Sequence, residues 1–140
     1  MRALLIPVGE MPYEINIDGY EDLKAAVDGF IENVAWVFDD KPSLYINEEG
    51  KYLCEPNRAI YAQAEDAGKF TWSGKVVNEG DVLDIIYGDF VAIGFDPVSG
   101  EDKDISDEEI DKVMERFGTA ESIESGMIEA MRIQMGMASI

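Results

Sequence analysis

The stretch Asp81-Val82-Leu83-Asp84-Ile85-Ile86-Tyr87-Gly88-Asp89-Phe90-Val91-Ala92-Ile93-Gly94-Phe95 limits what this chain can fold into more than any other part of it. Two runs rich in β-branched and aromatic residues flank Gly88-Asp89, and a two-residue loop with glycine first suits the type II′ turn that joins twisted antiparallel strands. The pattern predicts a β-hairpin. With Tyr87 and Phe90 beside the turn, Leu83, Ile85, Tyr87, Phe90 and Ala92 share one face, while Val82, Ile86, Val91, Ile93 and Phe95 share the other. Two apolar faces place the pair in the middle of a sheet or under a covering helix, because an exposed hairpin of this kind invites aggregation. The stretch therefore names a core and not a function.

The segments around it supply the layers. Ala3-Leu4-Leu5-Ile6 reads as a buried strand ending at Pro7, and Tyr13-Glu14-Ile15-Asn16-Ile17 alternates like an antiparallel partner. Asp18 with Glu21 has capping-box spacing, followed by Leu23, Ala26, Val27 and Phe30 at helical intervals. Residues 33–38 and 43–46 predict two short strands, and Asn47-Glu48-Glu49-Gly50 a turn. Pro56-Asn57-Arg58-Ala59-Ile60 breaks the pattern, residues 59–67 fit either a short helix or an extended passage, and Lys75-Val76-Val77 is a weak strand. Asp96-Pro97-Val98-Ser99-Gly100 is a turn. Ser106 with Glu109 forms a second capping box, ahead of Ile110, Val113, Met114 and Phe117 on one helical stripe closed by Gly118. A last helix is predicted over 119–140. This order of elements argues a single α+β domain with a mainly antiparallel sheet, helices packed on it and C-terminal helices.

Composition then removes chemistries. The 140 residues suit one domain, with no apolar run long enough for a membrane span, and residues 1–8 are too short for a signal peptide, so a cytoplasmic protein is expected. Cys54 is the one cysteine, which excludes an intrachain disulfide and a cysteine-based metal site. There is no histidine, which removes Ser-His-Asp and Cys-His catalysis and ordinary zinc or iron ligation. Carboxylate chemistry, lysine chemistry and binding remain. With 30 acidic against 11 basic residues the formal charge is −19, a field that repels nucleic acid and anionic membrane and attracts basic protein surfaces.

Four segments, taken in order, carry a family resemblance: residues 1–7, Leu44-Tyr45-Ile46-Asn47-Glu48-Glu49-Gly50, Pro56-Asn57-Arg58-Ala59 and Asp84-Ile85-Ile86-Tyr87-Gly88-Asp89-Phe90-Val91. Together they resemble the phage and mobile-element family known as domain of unknown function 3846. The resemblance covers roughly residues 1 to 117, which sets the domain at 1–118 and leaves 119–140 as a helical extension. It implies a protein carried by a phage, prophage or plasmid and working in the cytoplasm of a bacterial host. It implies no catalytic residues. Asn57-Arg58 matches the family pattern and is a basic spot in an acidic chain. The plain reading is that Asn57 caps a turn and Arg58 pairs with a carboxylate; the functional reading places both in a partner contact.

The densest chemistry lies in Asp96, Glu101, Asp102, Asp104, Asp107, Glu108, Glu109, Asp111 and Glu115, nine acids against Lys103, Lys112 and Arg116. The helix dipole accounts for Asp107, Glu108 and Glu109 without any partner, but not for the acids of the loop upstream. The functional reading makes Asp96, Glu101, Asp102, Asp104, Asp107, Glu108 and Asp111 a row of carboxylates resembling phosphates. A protein bearing such a row would inhibit a host nucleic-acid-binding defence protein, a restriction or CRISPR nuclease, by occupying its basic cleft, with no direct contact to nucleic acid or membrane. Asp102-Lys103-Asp104-Ile105-Ser106-Asp107 begins like a calcium loop but lacks the sixth-position glycine and has Val113 where the bidentate glutamate belongs. No metal site, nucleotide motif or cofactor is expected. Two alternatives remain: a carboxylate hydrolase using two spaced acids, and a binding module built on Met127, Met131 and Met135 of the last helix, which could meet a second copy or a partner groove. If the methionine stripe mediates a homodimer, deleting residues 119–140 leaves a folded monomer by sedimentation; an unchanged oligomeric state removes that role.

Overall fold

The computed structural model describes residues 1–70 and 74–120. The strands are β1 (Arg2–Ile6), β2 (Tyr13–Asn16), β3 (Ile31–Val34), β4 (Ser43–Asn47), β5 (Pro56–Tyr61), β6 (Val82–Tyr87), β7 (Phe90–Asp96) and β8 (Glu101–Lys103), and the helices α1 (Tyr20–Val27), α2 (Gly50–Leu53) and α3 (Asp107–Phe117). A main sheet runs β2-β1-β7-β4-β3, with β8 paired to the far end of β7, and β5 with β6 forms a separate two-stranded sheet. Every ladder is antiparallel. The chain is a single α+β domain of the expected class.

The alternation of β7 explains why both its faces are apolar. Val91 and Ile93 join Ala3, Leu5, Ile17 and the buried Leu23 and Val27 of α1 on one side of the sheet. Phe90 and Ala92 join Leu4, Ile6 and Leu44 on the other, against Ile60 and Ile86 of the small sheet and Val113 and Phe117 of α3. The main sheet is thus covered twice, by α1 and by a layer made of α3 and the β5–β6 ribbon. Phe117 meets both Phe90 and Phe38 edge-to-face, with ring centroids 5.5 and 5.9 Å away. Each such side chain taken fully from water contributes about 1.5–3 kcal/mol.

The hairpin expected at Gly88-Asp89 does not form. Both predicted strands exist, but they lie in different sheets. A strand has two edges, and those of β7 are occupied by β1 and β4, which face the same residue from opposite sides: Ala3 and Ser43 both align with Ile93. No edge is left for β6, which pairs with β5 instead. Gly88, at φ 79°, carries the chain from one sheet to the other; its N–H donates to Glu55 O. Its carbonyl accepts from the Asn57 side chain at 2.8 Å, and Asp89 accepts from Val8 N–H at 2.9 Å.

The hairpin of β1 and β2 forms as expected, with Leu5 opposite Tyr13. In α3 the capping box of Ser106 and Glu109 is complete in both directions, at 3.1 and 3.0 Å. The box expected of Asp18 and Glu21 is absent. Gly19 is the N-cap of α1, and it is Asp22 that reaches back to Asp18 N–H at 2.7 Å. Helix α1 stops at Val27 because Asp28 turns left-handed at φ 59°, so Phe30 leaves the predicted stripe and is 62% exposed. Around Lys75-Val76-Val77 there is one isolated bridge, between Phe70 and Val76. The helix predicted over 119–140 falls outside the described residues apart from its first two.

The largest departure is β5. A segment read as broken is a strand, with Pro56 at its first position, where a missing N–H is tolerated. Asn57 and Arg58 are each 1% exposed. Asn57 donates to Ile6 O and Gly88 O, both at 2.8 Å. Arg58 donates to Phe117 O at 3.0 Å, Pro7 O at 3.2 Å, Glu10 O at 2.6 Å and Asn57 Oδ1 at 2.6 Å. One guanidinium thereby ties the β1–β2 turn to the C-terminal end of α3, where the helix dipole favours a cation. Truncating Arg58 would orphan several buried carbonyls, each costing about 1–3 kcal/mol. Arg58→Met should therefore lower stability by at least ~3 kcal/mol in urea unfolding, with Arg58→Lys recovering only part; a loss under ~1 kcal/mol would contradict this role.

Candidate functional site

The acids singled out in the sequence divide into those that hold the structure and those that do not. Asp96 closes its own turn, accepting from Val98 N–H at 2.9 Å and Ser99 N–H at 3.5 Å, and the Val98 bond leads in holding its pKa below the ordinary carboxylate value. Asp102 accepts from the Tyr45 hydroxyl at 2.9 Å. Burial first, and then this carboxylate, push the Tyr45 pKa up to about 12. Asp104 accepts from Arg2 N–H at 2.7 Å, and Asp107 pairs with the Arg2 guanidinium at 3.0 Å, beside Glu14 at 3.7 Å. Arg2 also donates to Ile105 O at 2.6 Å, pinning the entry of α3 to the first strand. Asp107 and Glu14 therefore pair with the Arg2 guanidinium, while Asp104 holds its backbone N–H.

Glu101, Glu108 and Asp111 are exposed and make no side-chain bond within the described residues. Asn57 and Arg58 prove to be interior residues, which corrects their assignment to a partner surface: at 1% exposure they have nothing to present. The reason is that their polar atoms satisfy carbonyls where two layers meet. Met127, Met131 and Met135 lie outside the described residues.

A second site was not picked out by the sequence. Between β4, β6 and α2 lies a cleft of about 220 Å³. Its floor is built by Asn47, 5% exposed, which donates to Val27 O at 3.0 Å and Asp28 O at 3.2 Å and accepts from Glu49 N–H at 2.8 Å. Its far wall is α2, set directly on β6: a Cβ on Gly50 would come within 2.7 Å of Tyr87 O, so no larger residue fits. Glu32, Glu48 and Asp84 line it together with Lys51, Tyr52 and Ile46. Glu32 sits opposite Ile46 in the β3–β4 ladder, which brings this carboxylate to the apolar side of the cleft.

Asp84 is the unusual member. It stands in the middle of an apolar strand, and its one described bond is to the N–H of its neighbour Ile85, at 2.8 Å. Its carboxyl opens to solvent at the cleft mouth but is crowded by the walls, and this desolvation raises its pKa above the ordinary value of 3.8, against the smaller pull of Lys51. A lone acid inside Val82-Leu83-Asp84-Ile85-Ile86 was the available signal. Among the described residues no group of three or more Asp, Glu, His or Cys side chains is gathered to hold a metal ion.

A family model described as Domain of unknown function (DUF3846) matches residues 1–118. No curated protein and no solved structure matches the chain significantly.

The raised pKa of Asp84 has a sign. The folded state holds this proton more tightly than the unfolded chain does, so the contribution to stability is complete below the ordinary carboxylate pKa and is lost as pH rises through the folded value. Asp84→Asn should accordingly raise the urea midpoint at pH 7, and the advantage should shrink as the pH falls toward 3.8. A destabilised variant at pH 7 would mean that the carboxylate is held favourably after all.

Proposed function

The chain belongs to the domain of unknown function 3846 family, and from that premise we propose that it is a non-enzymatic inhibitor that binds the basic, nucleic-acid-binding surface of a host defence protein. The phage or mobile-element setting belongs to the same proposal, as do the cytoplasm of the host as the place of action and the absence of direct nucleic-acid contact. The target class is a restriction or CRISPR nuclease, whose cleft the acidic surface would fill in place of phosphates.

One observation supports this reading above the rest: among the described residues no carboxylate side chain is buried, while one cation, Arg58, is. The three described arginines all turn toward main-chain carbonyls. Arg2 donates to Ile105 O, Arg58 to Phe117, Pro7 and Glu10 O, and Arg116 to Val37 O at 3.1 Å and Tyr61 O at 3.0 Å. Arg58, at 1% exposure, does little to neutralise the surface. The ion pairs of Arg2 and Lys69 engage Glu14, Asp107 and Asp66. The excess of carboxylates in a chain of −19 thus faces solvent, where it acts on a basic partner through on-rate and salt-sensitive affinity.

The structural division of the acids makes the reading testable without unfolding the protein. In Glu101→Gln, Glu108→Gln and Asp111→Asn combined, charges without a described structural bond are removed, so the urea midpoint should stay within the equivalent of ~0.5 kcal/mol of the parent. Affinity capture from nuclease-treated bacterial lysate at low salt should retain a nucleic-acid-binding protein, release it at high salt, and retain several-fold less of it with the triple variant. A salt-resistant partner, or one the triple variant binds equally well, would sink the proposal.

A further inference from the structure

The cleft between β4, β6 and α2 has features that a uniformly acidic surface does not require. It is concave, with a floor fixed by the three bonds of Asn47 and a wall fixed by the contact of Gly50 with the β6 backbone. Three carboxylates, Glu32, Glu48 and Asp84, line it against one ammonium, Lys51. Glu32, Glu48 and Lys51 make no side-chain hydrogen bond or ion pair within the described residues, and Asp84 bonds only its neighbour's N–H. Ile46, Ile85 and the ring of Tyr52, which is 83% exposed, share the lining with these carboxylates. The cleft thus joins an exposed aromatic ring and aliphatic side chains to three carboxylates.

These properties select among ligands. A phosphate or carboxylate is repelled by the three acids. A metal ion lacks a gathered ligand set among the described residues. A strongly hydrated ammonium gains little from an aromatic and aliphatic platform, whereas a guanidinium is planar, weakly hydrated at its faces, stacks on aromatic rings and donates in its plane to carboxylates. The volume, about 220 Å³, admits one such head group with part of an alkyl stem. We propose that this cleft binds an alkylguanidinium group, an arginine side chain of the basic partner, with Asp84 as its principal carboxylate and Tyr52 as its stacking face. The inference rests on the proposed function for the source of the group, and on the cleft alone for its chemistry.

An occupant also accounts for Asp84. A carboxylate crowded in mid-strand is a cost to the empty fold, and a cation placed beside it converts that cost into affinity. The test is a titration of the full chain, followed by amide NMR, with ethylguanidinium, with a blocked pentapeptide carrying one arginine between glycines, and with uncharged N-ethylurea. Ethylguanidinium and the peptide should both shift the amides of Lys51, Tyr52 and Asp84, N-ethylurea should not, and Asp84→Asn should weaken both by roughly tenfold, the scale of one charged hydrogen bond. No shifts in the cleft, equal binding of N-ethylurea, or unchanged affinity in Asp84→Asn would each overturn the inference. Protein capture that depends on Glu101, Glu108 and Asp111 without guanidinium binding overturns this inference alone. Guanidinium binding without a captured protein overturns the inhibitor reading alone and leaves a free guanidinium compound as the occupant.

Discussion

The buried guanidinium of Arg58 is the interaction on which most of this architecture depends. The domain has two sheets and an α-helix that share one core, and apolar contacts alone do not fix their relative setting, because hydrophobic burial is not directional. Hydrogen bonds are. Arg58 and Asn57, side by side on β5, donate to Ile6, Pro7, Glu10, Gly88 and Phe117, carbonyls from the first turn, the sheet crossing and the end of α3. A methionine in place of Arg58 would fill similar space yet orient nothing. The other described arginines repeat the device at lower burial: Arg2 pins the start of α3 and Arg116 pins its last turn to Val37 and Tyr61. Arg116 is incompletely satisfied, since its Nε is buried without a described partner, and burial leads in lowering its pKa.

Most parts of the fold that depend on neighbours in sequence were legible from the sequence, the Asp18–Glu21 capping box excepted. The β1–β2 hairpin and the capping box of α3 are settled within a few residues of themselves, and the apolar stripe Ile110, Val113, Met114 and Phe117 faces the core as its spacing requires. The parts settled at a distance were not. Whether β6 pairs with β7 is decided by β1 and β4, which reach β7 first on both edges and come from remote segments. Strand β5 was hidden because its polar residues point inward and are satisfied by carbonyls of other elements, so that neither periodicity nor propensity marks it. The acids behave alike: Asp96, Asp102 and Asp104 share a composition with Glu101 and Glu108, and only the positions of Val98, Tyr45 and Arg2 separate those with structural bonds from those without.

In the proposed reading, the cleft and the acidic exterior act at two levels. A diffuse negative field gathers basic molecules without choosing among them. A pocket of fixed shape, holding three carboxylates and an exposed tyrosine, can discriminate by planarity and reach. The sequence offered Asp84 as a clue, yet the facing acids Glu32 and Glu48 lie some fifty and thirty-six residues away in the chain, each ordinary in its own segment. Their convergence follows from the β3–β4 ladder on one side and the seating of α2 on β6 on the other.

The position of β7 also bears on how the chain reaches its native state. The middle strand of the main sheet is among the last strands in the sequence, and it pairs with the first: Ala3 with Ile93, Leu5 with Val91. Until residue 93 is available, β1 has no inner neighbour, and the hairpin it makes with β2 is marginal by itself. Loop-closure entropy must be met across almost the whole domain before the central ladder returns any stabilisation, which makes assembly non-local and slow relative to helical proteins of this length. During synthesis on a ribosome the greasy inner edge of β1 and the edge of β4 wait together for a strand that arrives late. The charge that the early segments carry, in Glu10, Glu14, Asp18, Glu21 and Asp22, then tends to keep unfinished chains apart by mutual repulsion.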